Sequence, residues 1–322
     1  MEKAISEKII KILFLLLFSY FFLLCISSYP SDFETYETDQ FNVHFEHGLN
    51  LSANEAVQIF PEIKLKLEST FKSKIDFFFN IILINNRDLF LKLANNRNIV
   101  AFASPDKNLI VIDYSKMNTS PFNFETSFSH ELCHLLLHHN MNVHLPRWLD
   151  EGIAQWFSDG IDELIRDSNK SLLDTAAITG NFLPLGQITY SFPETKKKMT
   201  LAYEQSKSFL IYLINEYGKD KIIDLILLMK NGKTCGFAFN QLFNHSIREL
   251  EYEWKKSLQQ TGLFTFLSRN LYEILFVFMA IISVFAYFKI RIRKKRYYEE
   301  EDEEDENENE SVIYSDRIYI QF

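Results

Sequence analysis

The sequence predicts an α+β fold: a sheet-rich first half, a helical second half, and a separate apolar helix near the C-terminus. Three observations carry this prediction. β-rich runs are confined to the residues before 128. Helical patterns take over from there to residue 258. Residues 271–290 are almost wholly apolar, and about twenty such residues suffice to cross a bilayer. Strands first and helices afterwards is the ordering of an α+β layout rather than of alternating βα units.

Taken in order, residues 9–28 form a first apolar run with Lys3, Lys8 and Lys11 on its N-terminal side. Such a run is a cleaved signal peptide or a retained anchor helix. Leu24 precedes Cys25 where a lipoprotein signal carries a small residue, which argues against lipidation. Phe41 to Phe45 alternates as a strand does. Ser52 and Glu55 form a capping-box pair opening a helix whose apolar side is Ala56, Ile59, Phe60 and Ile63, with Pro61 expected to kink it. Residues 76–85, 99–103 and 108–113 are β-rich. Helices are expected at 128–139, from Pro146 onward, and at 202–217, 222–229 and 239–258.

Chemistry concentrates at His130-Glu131-Leu132-Cys133-His134, within a run, 128–139, that holds no Pro or Gly. On a helix, residues four apart share a face, so both imidazoles reach a single metal ion. Glu131 lies about a hundred degrees round the same turn, close enough to hold a metal-bound water. A catalytic zinc takes three protein ligands and keeps one position for water, so the two histidines need a third donor. Glu151 is the natural candidate. Pro146 suits the first turn of its helix, and Trp148, Leu149, Ile153 and Trp156 give that helix an apolar side. The rival zinc pattern, with a Gly three residues and a third histidine six residues after His134, is absent, because Leu137 stands at the Gly position and Asn140 at the histidine position.

These segments resemble the gluzincin-type peptidases of the MA clan, particularly small peptidase MA family metallohydrolases. The likeness rests on His130-Glu131-Leu-Cys-His134 and on Pro146-Arg-Trp148-Leu149-Asp-Glu151-Gly152-Ile-Ala154. A weaker match lies at Ala202-Tyr203-Glu-Gln205-Ser206, with Phe209, Tyr212, Leu213, Tyr217 and Gly218 after it. It covers roughly residues 38–258. The resemblance implies a zincin-like catalytic domain, zinc held by His130, His134 and Glu151, and hydrolysis of a peptide or protein substrate. Glu131 is then the general base, and Tyr203, from the matching segment, is the candidate donor to the transition state, against a plain role as a core tyrosine. In related enzymes a sheet edge aligns the substrate. Residues 109–113 are the candidate here, or else an ordinary interior strand.

One position departs from the thermolysin-like pattern. An Asp four residues after the ligand Glu orients a histidine there, and this chain has Gln155. An amide still accepts a hydrogen bond but adds no charge. Of the other histidines, His138 continues the stripe of His130 and His134 and is expected beside the ligands rather than among them. His139 and His144 are expected at the surface, and His44, His47 and His245 have no ligand spacing. Cys133 is expected in the core, and nothing in the spacing argues for a Cys133–Cys235 bridge.

The predicted organisation is a signal peptide or anchor at 1–28, a catalytic domain at 29–262, a transmembrane helix at 271–290 and a cytoplasmic tail at 291–322. Arg291, Arg293, Lys294, Lys295 and Arg296 follow the second apolar run as a stop-transfer flank does, which sets the catalytic domain outside the cytoplasm. The chain carries a net charge of −9, but the acidity sits in the run 299–310, expected as a solvated, disordered spacer in a tail open to a cytoplasmic partner, with 312–322 as the docking-peptide candidate. No nucleic-acid partner is indicated. Against an enzyme stands a catalytically inactive zincin-fold protein that binds or scaffolds. An intact Glu131 favours turnover, since a purely structural site has no use for a base.

Overall fold

The computed structural model describes residues 33–117, 119, 122–139, 141–158, 171–269 and 271–319. The N-terminal apolar run 9–28 lies outside them. The chain divides into two units, Met1–Gln259 and Gln260–Phe322.

The first unit is built on a five-stranded mixed sheet of order β1-β2-β3-β5-β4. Its strands are β1 (Phe33–Glu37), β2 (Phe41–Glu46), β3 (Phe79–Ile84), β4 (Ala101–Ser104) and β5 (Leu109–Asp113). The pairs β2–β3 and β3–β5 are parallel, while β1 and β4 close the two edges antiparallel. A strand buried on both faces reads as a continuous apolar run, and β5, with the sequence LIVID, is such a strand. It pairs with β3 on one side and β4 on the other. The segment 109–113 is therefore interior, and the free edge beside it is β4.

Both faces of the sheet are covered. Helix α1 (Asn50–Phe71) packs on one face, where Phe60 meets Phe41 at 4.7 Å and Phe41 stacks on Phe79 at 5.1 Å. The aromatic chain continues from Phe60 to Phe128 at 6.4 Å and from there to Phe124 at 6.2 Å, which seats helix α3 (Phe124–His138) against α1. Helix α2 (Arg87–Ala94) covers the other face through Phe90, Ile84 and Val111. Asp113, at the end of β5, accepts a 2.6 Å bond from Arg87, whose guanidinium also donates to the carbonyls of Arg97 and Ile99. This buried pair ties the loop before β4 to the start of α2.

The second half is helical: α4 (Arg147–Ser158), α5 (Leu172–Thr179), α6 (Lys196–Tyr217), α7 (Lys219–Lys230), α8 (Cys235–Phe243) and α9 (Ile247–Arg269). Its core is aromatic, with Trp148 against Phe209 at 5.3 Å and Phe209 against Trp254 at 5.4 Å. Trp254 donates its indole N–H to Ser208. The helical C-terminal half expected from the sequence is present, whereas in the first half α1 and α2 alternate with the strands and connect parallel neighbours.

Several local expectations are corrected. Helix α1 begins at Asn50, before the expected capping box, so Ser52 is a buried residue inside the helix and not its cap. Pro61 lies inside it, as expected. The single helix expected at 239–258 is two, because Asn244 takes a left-handed conformation with φ of 57° and ends α8. Strand β1 and helices α2 and α5 carry patterns too short for periodicity to reveal. Cys133 and Cys235 are both free and buried.

The second unit holds α10 (Leu271–Tyr319), whose segment Leu271–Arg296 is long and apolar enough to cross a membrane. Its large apolar residues, Phe276, Phe278 and Phe285 among them, are exposed within the chain. The helix runs on through the acidic residues 299–310. Glutamate is a strong helix former, and neither Gly nor Pro interrupts the segment.

Candidate metal centre

Helix α3 starts where Asn123 accepts the N–H of Thr126, an N-cap that fixes its first turn. Phe124, Phe128, Leu132, Leu135 and Leu136 are buried in the main core. The row His130, His134, His138 is left to face the neighbouring helix. At the far end, Lys230 donates to the carbonyl of Leu136 and to Ser73, satisfying an end carbonyl that has no partner within the helix.

Helix α4 supplies the opposing row. Its first turn is set by Pro146, whose carbonyl accepts the N–H groups of Leu149 and Asp150. Gly152 lets it lie directly on α6: a Cβ there would sit 2.7 Å from the carbonyl oxygen of Ser206. The Ala-Tyr-x-Gln-Ser segment therefore receives α4 rather than merely resembling its relatives. Within it, Gln205 pairs with both the N–H and the C=O of Leu183 at 2.8 Å, and Glu204 accepts the N–H groups of Leu172 and Leu173 at the start of α5.

Three donor atoms converge between α3 and α4. His130 Nε2 lies 3.2 Å from His134 Nε2, and Glu151 Oε2 lies 3.3 Å from the former and 3.7 Å from the latter. Ligands held about 2.0–2.1 Å from a tetrahedral zinc sit roughly 3.3–3.4 Å apart. His130, His134 and Glu151 are the group of His, Cys, Asp or Glu side chains, among the described residues, that fits a metal ion. Glu151 Oε2 is buried and accepts no hydrogen bond, although both imidazoles stand within ion-pair distance. A buried carboxylate oxygen left in this way is costly unless a cation takes it. The donor set fits zinc.

The electrostatics agree with a site short of positive charge. Burial pushes the Glu151 carboxyl up, but Arg147 and then His134 outweigh it and hold the group well below the usual carboxylate range. Burial likewise opposes a charged His134, yet Asp150 and Glu151 prevail and raise it well above its ordinary value. Once a cation binds, that imidazole must instead be neutral. Glu131 is raised, chiefly by burial, with His130 and His134 pulling it partly back.

Sequence reasoning missed two residues. Asp150, 3% exposed, accepts from His134 Nδ1 at 2.7 Å and from His138 Nε2 at 3.0 Å. The carboxylate that orients His134 thus comes from the residue before Glu151. Gln155, expected to offer that contact, is buried with neither side-chain polar atom bonded. Arg147 is the second: its Nη2 lies 2.5 Å from Glu151 Oε1 and its Nη1 3.6 Å from Asp150 Oδ2. The signal was present in Arg147, Asp150 and Glu151 at helical spacing, since two adjacent acids on a buried helix require counter-charges.

Tyr203 lies on α6, half-buried and edge-on to Phe192 at 4.9 Å. His138 is partly exposed beside the donor atoms, and His139 stacks on Phe77 away from them.

The model of the Peptidase MA superfamily matches residues 93–260. No curated protein matches the chain by sequence. Among solved structures, the M1 zinc metallopeptidase from Deinococcus radiodurans is similar at 12% identity and a TM-score of 0.43, over 70% of this chain and 51% of that one. Legionella pneumophila aminopeptidase A, solved with aspartic acid, is similar at 13% identity and a TM-score of 0.42, over 69% and 27%. Leukotriene A4 hydrolase from Saccharomyces cerevisiae is similar at 13% identity and a TM-score of 0.38, over 71% and 38%. The chain thus spans about half or less of the length of these proteins. With its sequence matched across both donor helices, the chain belongs to the Peptidase MA superfamily.

Proposed function

We propose that the chain is a membrane-anchored zinc metallopeptidase in which His130, His134 and Glu151 hold the metal. The observation that carries this reading is the convergence of two Nε2 atoms and one buried, unbonded carboxylate oxygen within 3.2–3.7 Å. A zinc ion held there would supply an electrophile for a scissile carbonyl and bring the pKa of a water towards neutrality.

Glu131 is the general base in this proposal. Burial raises its pKa, which suits a group that must take a proton and release it again near neutral pH. It accepts the proton of the attacking water and returns it to the leaving amine. Asp150 keeps His134 protonated on Nδ1, so that Nε2 presents its lone pair to the centre. Tyr203 is the candidate donor to the oxyanion of the tetrahedral intermediate. The peptide substrate adds to β4, the unpaired edge next to α3, by main-chain hydrogen bonds.

The catalytic domain spans 29–262, and 271–290 crosses the membrane with the tail 291–322 in the cytoplasm. Support for the anchor is the length and apolarity of Leu271–Arg296 and its basic flank. The N-terminal segment 1–28 serves as signal peptide or second anchor.

The test is zinc content and turnover of a broad peptide library by the full-length chain, wild type beside Glu131→Gln. Zinc in both with turnover in the wild type alone is the expected result. Zinc in both without turnover would favour the inactive scaffold. A folded wild type that takes up no zinc overturns the metal reading.

A further inference from the structure

We propose that Arg147 is a positioning residue of the metal centre, holding Glu151 by one oxygen so that only the other is offered to the metal. The proposal rests on the metal reading above and adds the means by which the third ligand is oriented.

A carboxylate on a flexible side chain binds a metal through one oxygen or through both. Binding through both would take up the position that a catalytic zinc keeps for water. Here the two oxygens of Glu151 are unequal. Oε1 lies 2.5 Å from Arg147 Nη2, one helical turn earlier on α4, whereas Oε2 is the unbonded atom beside His130 and His134. A charge-assisted bond of this kind occupies Oε1 and fixes the plane of the carboxylate.

Arg147 is itself held. Its backbone N–H donates to Thr189 O at 2.7 Å, and its second guanidinium nitrogen stands 3.6 Å from Asp150 Oδ2. One planar fork thus spans both acids of the helix, a geometry that a lysine cannot reproduce with its single nitrogen. The side chain is 43% exposed, so core packing does not demand an arginine at this position. The demand comes from the two carboxylates.

The experiment compares full-length wild type, Arg147→Lys and Arg147→Met after loading with Co²⁺, whose visible absorption weakens when a fifth ligand atom joins a four-coordinate site. The wild type is expected to show the stronger, four-coordinate spectrum. Arg147→Met should show the weaker spectrum, with kcat lowered about 10- to 100-fold and KM unchanged. Arg147→Lys should recover part of both. An unchanged spectrum in Arg147→Met overturns the proposal, whatever happens to the rate. A raised KM with unchanged kcat and spectrum also overturns it and assigns Arg147 to substrate binding. A wild type that takes up neither Co²⁺ nor Zn²⁺ overturns the underlying metal reading as well, and that failure is visible without any variant.

Discussion

Asp150 Oδ1 accepts a hydrogen bond from His134 Nδ1 at 2.7 Å, across the interface between α3 and α4. The bond fixes the tautomer of an imidazole whose other nitrogen faces Glu151 and His130. Burial works against the charge on Asp150, but the imidazole of His134, its hydrogen bond and that of His138 prevail, and the carboxyl stays ionised far below its ordinary range. A residue adjacent in sequence to one candidate ligand therefore orients another.

Replacing Asp150 by Asn keeps the shape and removes the charge. Zinc affinity, measured by competition with a chelator, should fall about 10- to 100-fold, as it does when comparable supporting contacts are lost. An unchanged affinity would mean that packing alone orients His134.

Gly152→Ala places a methyl group 2.7 Å from the backbone carbonyl of Ser206, where no flexible side chain can yield. Helices α4 and α6 must separate, at a cost of about 1–3 kcal/mol. The midpoint of urea denaturation should drop, and zinc affinity with it, because Glu151 rides on the displaced helix. A midpoint equal to that of the wild type would show that the two helices part freely.

Gln155 is 1% exposed with both side-chain polar atoms unbonded. Replacing such a group by an apolar one of similar size is neutral or stabilising, by about 1 kcal/mol. Gln155→Leu should leave the melting temperature equal or higher. A clear fall would reveal a buried water bonded to the amide.

If Leu271–Arg296 spans a bilayer, the full-length chain will stay with the membrane pellet through an alkaline carbonate wash. Phe278→Arg together with Phe285→Arg should release it, since each arginine near the middle of a span costs about 2.5–3.5 kcal/mol on insertion scales. Release of the unsubstituted chain by the wash would remove the anchor from the proposal.

By itself the sequence determined that His130 and His134 share a face of one helix and that Glu151 stands on the next. It also determined that the second half is helical and that 271–290 is apolar. These features are periodic and local, and helical spacing alone fixes which side chains lie side by side. Tertiary structure decided what faces that row. Asp150 rather than Gln155 meets His134, Arg147 takes one oxygen of Glu151, and Gly152 admits Ser206. It also made β5 an interior strand and left β4 as the edge. Each of these is a pairing between elements distant in the chain. The period of a helix says which residues form a stripe, but the rotation of one helix against another, set by packing around Trp148 and Phe128, chooses their partners.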